Sequence, residues 1–494
     1  MPGVRWTIML AGVLLVPLGV HGASTDPEPL LVYCAAGIKN PVVEVARLWE
    51  EETGQEVQLQ FGGSGTLLNN LALAGKGDIY IAAEESYFQM ARERGLVREV
   101  IPFATQQLVI AVPEGNPASI NSLDDLAGNG VRISMPNPEA AAAGKVAKSL
   151  LQSHGLWESI SGNTKVFKPT VGDVAVDVRL GAVDAAITWD TTASQFDGIE
   201  AVHDPRLQES RERVGIGVLE STKDPARAIS FARFVGAADR GQVNMQAHGF
   251  GQVEGDDWSS RPRLILFAGA MLHPAIEARV DDFARREGVD IERVYNGCGM
   301  LVSQMKAGSK PDAYFACDRS FLDLVSDRFE PGIDVSTNSL VILVPAGNPR
   351  NIQSLSDLVR PGTRVGISHP EQSALGALTR KILLQEELHG PLEASGNIRV
   401  VSPTGEYLVN QFRVGGLDAV VVYGSNANAS AATRETCMSI PLDLPGSIAR
   451  QPWAVSRDSS HARTMSRLYE ALSSEESADH FRSLGFGWVT STGQ

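Results

Sequence analysis

The chain repeats itself, and that constrains its fold more than any other feature. LVYCAAGIKNPVVEVARLWEEETG, starting at residue 31, returns as LILFAGAMLHPAIEARVDDFARREG at 264. VPEGNPASINSLDDL at 112 returns as VPAGNPRNIQSLSDL at 344, and GAVDAAITW at 181 as GGLDAVVVY at 415. The pairs Pro41/Pro274, Asn116/Asn348 and Asp184/Asp418 are separated by 233, 232 and 234 residues. Collinear matches at so steady an offset mean a tandem duplication. The repeat is far longer than a solenoid unit, so each copy is expected to own its cores. The expected boundaries are a leader over 1–23, a first module over 24–255 and a second over 262–490, with the polar seam GQVEGDDWSSRPR (251–263) between the modules.

Each copy alternates short apolar strands with helical patterns, which predicts an α/β fold with largely parallel sheets. Leu30–Ala35 and Val57–Phe61 read as strands. Asn40 is expected to cap a helix with Pro41 at its first position and Gly54 at its end. Two crossings, near Leu108–Pro113 and Val214–Leu219, are expected to divide each module into two lobes around a cleft. In such sheets ligands sit beyond the carboxyl ends of the strands. The stretch FGGSG (61–65) falls there: Gly62 and Gly63 permit close approach and positive φ, and Ser64 reads as an N-cap. Further helix openings are read at Gly37, at Ala143-Gly144 and at Gly172-Asp173. Four such openings on one site would neutralise an anion with N–H groups and helix dipoles, without Lys or Arg.

That matters because the formal net charge is −15. So acidic a chain is a poor partner for nucleic acid or anionic lipid. The leader reads as an export signal: Arg5, an apolar run over Trp6–Val20, then small residues to Ala23. It places the mature chain in the periplasm. Four cysteines, none in a C-x-x-C pair, exclude a disulfide scaffold and a zinc ribbon. The runs Glu50–Glu52 and Arg285-Arg286 read as solvated helix faces. No Walker loop, dinucleotide fingerprint, H-E-x-x-H or paired-carboxylate site is found, so the chain reads as a binding protein and not an enzyme, with no catalytic residues, no cofactor and no cation site.

Both modules resemble the periplasmic molybdate-binding proteins of ABC importers, which are type II solute-binding proteins. The resemblance is carried by VYCAAGIKNPVVEV, FGGSGTLLNNLALAGKGDIYIAA, PNPEAAAAGKVAKSL and GAVDAAITWDTTA. It implies two tandem modules, each with two α/β lobes closing over a tetrahedral oxyanion such as molybdate or tungstate. It also implies a monomer that delivers this small inorganic anion to an ABC permease in the membrane; a sensory or scavenging protein without a permease is the alternative. By position the ligand set falls on Gly37, Ser64, Ala143, Val174 and Trp189 in the first module. In the second it falls on Ala270, Cys298, Leu375, Tyr407 and Tyr423, a weaker set for a module that is degenerate or binds a different ligand. Cys298 thus stands where a hydroxyl should face the ligand. With Cys317 it forms a disulfide, or the two are free thiols for a soft ligand, or Cys317 is an apolar filler like its counterpart Ala83. Cys34 reads as core, and Cys437 has no evident partner.

Overall fold

The computed structural model describes residues 28–489, so the expected export signal lies outside the described residues. The first module has two five-stranded sheets. In one lobe the strands run Val57–Gly62, Leu30–Ala35, Ile79–Ala82, Glu212–Leu219, Val97–Gln106. The first three are parallel, and Glu212–Leu219 opposes its neighbours. In the other lobe the order is Thr164–Lys168, Ile133–Pro136, Ala185–Trp189, Leu108–Pro113, Ile199–Val202. The chain changes lobes at Gln107 and between Val202 and Glu212. Both crossings come slightly before the expected segments, which lie wholly inside one sheet or the other.

The second module repeats the plan. Its strand Ile333–Pro345 runs unbroken through the crossing, so both lobes share one ten-stranded sheet. Helices cover the sheets because their apolar stripes have nowhere else to go. Lys39–Thr53 shows the logic: Pro41, Val42, Val45, Ala46 and Trp49 are buried, and Gly54 ends the helix at φ 71°. Trp49 meets Phe231, Phe234 and Trp258 edge-on.

Trp258 belongs to the seam, which is a structured strap. Its indole N–H donates to Glu52 at 2.8 Å. Asp256 then accepts from the N–H groups of Arg463 and Thr464, at 2.7 and 2.8 Å, at the start of the second module's helix Ala462–Leu472. The two charged runs are therefore not simple solvated faces. Glu52 also binds Arg240, and Arg286 reaches across to pair with Glu99 of the first module. Each sits where its helix meets a neighbouring element, a tertiary fact that charge patterning does not carry.

Candidate functional site

The helix openings of the first module meet at one small cavity between the lobes. Ala36 and Gly37 line it beside Gly63 and Ser64 from one lobe. Ala142, Ala143, Thr170, Val171 and Trp189 line it from the other. It leaves about 20 Å³ for the centre of a water-sized body, room for a ligand of a few heavy atoms. No Lys or Arg lines it. Among the described residues, the N–H groups of Gly37, Ser64, Ala143 and Val171 donate to no protein acceptor. Ser64, Ala142 and Val171 begin helices of 11, 12 and 9 residues, so three positive dipole ends face inward.

Ser64 is not the N-cap expected of it. Gly63 holds that position, and Ser64 is the first helical residue. Its Oγ accepts from the Ala83 N–H at 3.3 Å, which leaves its own O–H free to donate. Its carbonyl accepts from the Tyr80 hydroxyl at 2.8 Å, which fixes the turn. Nor is Asn40 a cap. The preceding helix opens at Lys39, and the Asn40 amide donates across the cleft to Gln195 at 2.9 Å.

The glycines serve approach alone. Gly62, Gly63 and Gly65 all lack positive φ, and Gly63 is at φ −66°, ψ 145°, open to any residue. A Cβ on Gly63 would instead run into the carbonyl oxygens of Ala140 and Pro169 in the facing lobe. The Gly65 N–H donates to that same Ala140 carbonyl at 3.1 Å. A Cβ on Gly37 would lie 2.9 Å from the Val171 side chain. The lobes are closed, and glycine is what lets them close.

Of the first-module set, Gly37, Ser64, Ala143 and Trp189 meet at this cavity. Val174 does not: it is buried in an apolar cluster with Val109 and Val178, and its N–H donates to the Thr170 carbonyl. Thr170 caps this helix by accepting from Asp173 N–H, so the opening lies three residues earlier, at Val171. The Thr-x-x-Asp spacing of a capping box was the signal for that register.

The second module repeats the cavity at similar size, about 20 Å³. Ala270, Leu375 and Tyr423 line it. Tyr407 does not; it is 62% exposed, because Thr404 caps its helix as Thr170 does. Cys298 and Cys317 are joined as a disulfide, which removes the free-thiol and filler readings. Cys298 is fully buried, and Cys317 reaches the cavity. The Cys298 sulfur accepts from Cys317 N–H at 3.0 Å, as Ser64 accepts from Ala83, but a disulfide sulfur has no proton to donate. Gly269 makes room for it, since a Cβ there would strike the Cys317 sulfur. The first module has Ala36 at this position, a paired change that sequence reading missed. Cys34 is core, as expected, and burial pushes its thiol pKa up.

Lys145 bridges the mouth of the first cleft, 3.7 Å from Glu84 and in contact with Ser86 of the facing lobe. Glu212 sits beside this pair, where the chain re-enters the first lobe. Burial, with Glu84 and Glu85 nearby, pushes its carboxyl from 4.5 up to about 7, against Lys145. A raised acid favours its protonated form, so folded stability falls as pH rises from 4.5 to about 7 and stays low above that. Glu212→Gln should match wild type near pH 4.5. It should exceed wild type by about 1 kcal/mol near pH 8, a value discounted for the group's partial exposure. Thermal midpoints at the two pH values check this; equal gains at both would refute it.

The family model for bacterial extracellular solute-binding proteins matches residues 30–251 and again 264–487. A Haemophilus influenzae protein described as a binding protein is 28% identical over 206 residues, covering 42% of this chain and 84% of that protein. The molybdate-binding protein ModA of Mycobacterium tuberculosis is 30% identical over 190 residues, covering 36% of this chain and 67% of its own. Among solved structures, the periplasmic molybdate-binding protein of Azotobacter vinelandii matches at 19% identity and a TM-score of 0.40, over 46% of this chain and all of that one.

Proposed function

Because the chain belongs to the bacterial extracellular solute-binding protein family, in two tandem type II modules, we propose that its first module captures a tetrahedral dianion such as molybdate or tungstate. The observation that carries this reading is a closed, cation-free cavity ringed by unengaged N–H groups and the Ser64 hydroxyl. The unengaged N–H groups and the Ser64 hydroxyl at this cavity can donate, and the Trp189 indole N–H can only donate. A ligand there must accept from all sides, which suits an oxyanion that has lost its protons. The relatives named for molybdate support the same class.

Capture is lobe closure: the ligand stabilises the state in which 62–65 meets the facing carbonyls. The closed protein then presents its cargo to an ABC permease in the membrane. The chemistry is binding, with no bond made or broken.

Ser64→Ala is the direct test. Removing a buried hydroxyl donor to a charged ligand should weaken molybdate binding by about 1–3 kcal/mol. Calorimetry on the full chain measures it, and an unchanged affinity would show that Ser64 does not face the ligand.

A further inference from the structure

The two clefts draw their free hydroxyls from opposite lobes. In the second, Cys298 replaces Ser64, and its disulfide sulfur has no proton to give. Ser373, from the facing lobe, lines the same cavity and is 4% exposed. It holds the N-cap of the helix Ala374–Gln385, where a serine ordinarily ties its hydroxyl to the first turn. It makes no such bond, and its hydroxyl engages no other described residue. The matching N-cap of the first module is Ala141, which has no side-chain donor.

Two further donors follow from paired changes. Thr170 of the first module gives its hydroxyl proton to Asp173 at 2.6 Å. Its counterpart Thr404 has Tyr407 in place of that acid. Thr404 accepts from the Tyr407 N–H, keeps its own proton unengaged, and lines the cavity. Asn296, where the first module has Gly62, also lines it. The Asn296 side-chain oxygen accepts from the Gly297 N–H at 2.8 Å, which leaves the NH2 group as the free end. The backbone adds to these. Among the described residues, the N–H groups of Ala270, Cys298, Leu375 and Gly405 donate to no protein acceptor. Helices of 12 and 9 residues open on the cavity at Ala374 and Gly405. No Lys, Arg, Asp or Glu lines it. Buried donors are costly unless something accepts from them.

We propose that the second cleft is an oxyanion site in its own right, in which Ser373, Thr404 and Asn296 take over from the missing serine hydroxyl. The ligand class is a small tetrahedral oxyanion, because the cavity is as tight as the first and equally free of cations. The disulfide removes one donor from one lobe, and the facing lobe supplies two hydroxyls in exchange. The assignment rests on the anion reading of the first cleft for its ligand class. It concerns different residues, so the two can fail separately.

The test is calorimetry on the oxidised full chain carrying Gly63→Val, which props the first cleft open, with inorganic phosphate, sulfate, molybdate and tungstate. At least one of these anions should still saturate a single site. Adding Ser373→Ala should weaken that anion by at least about tenfold. Alanine already holds this N-cap in the first module, so the fold accepts it. Asn296→Gly, which copies Gly62, should weaken the same anion. Absence of heat from all four with the folded Gly63→Val chain would overturn the proposal. So would an isotherm that Ser373→Ala leaves unchanged. Should every wild-type heat survive Gly63→Val and respond to Ser373→Ala, the reading of the first cleft would fail and this one would stand.

Discussion

Gly63→Val is expected to abolish high-affinity binding in the first module while leaving its thermal stability almost unchanged. The residue has ordinary extended φ and ψ, so a side chain there costs no backbone strain. Its cost arises across the cleft, where a Cβ meets the backbone oxygens of Ala140 and Pro169. Backbone cannot move aside as a side-chain tip can. Overpacking of this kind costs about 1–3 kcal/mol for one methylene, and valine adds more. The penalty falls only on the closed state, so apparent affinity should drop by about a hundredfold or more. Paired measurements of Kd and melting temperature check this. A large loss of stability would mean that Gly63 is needed by each lobe alone. Unchanged affinity would mean that the closed arrangement is not the ligand-bound one.

Glu287→Ala is expected to have the largest effect on stability. Glu287 is 2% exposed and binds the Arg467 guanidinium through two bonds of 2.8 Å. Burial alone would lower the Arg467 pKa, but Glu287 outweighs it and holds the group charged. Arg233, from the first module, is buried nearby with no hydrogen-bond partner. Burial pushes its pKa down to about 10, with Glu287 opposing that shift. Glu287, with Asp256 as a weaker second carboxylate, thus compensates two guanidinium groups where the modules meet. Removing it should destabilise the chain by about 3–5 kcal/mol, the cost of stranding buried charge. Replacing Glu287, Arg467 and Arg233 together by Met should recover most of that loss. Denaturant midpoints decide the matter, and a loss below about 1 kcal/mol would show the cluster to be solvated.

Much of this was legible in the sequence. The duplication and the strand Leu30–Ala35 follow from periodicity and spacing alone. Three features were not. The resemblance points to Val174, whereas Val171 lines the cavity because Thr170 caps the helix; the resemblance carries the loop but not the register. Tyr407 lies off the second cavity for the same reason, since Thr404 caps its helix. The role of the glycines was half legible: their position beyond a strand end was clear. That they yield to facing carbonyls and not to positive φ depends on how the lobes meet, which no local pattern records. The disulfide is not decided by the sequence because its signal is a pair of distant changes, Ala36 to Gly269 and Ala83 to Cys317, meaningful only once those positions are known to touch.

Titration of the full chain with molybdate, tungstate and sulfate tests the central claim most directly. A cradle of neutral donors should bind at least one of the three at a single site, and Gly63→Val should lose that heat. A folded chain that gives no heat with any of them would contradict the account.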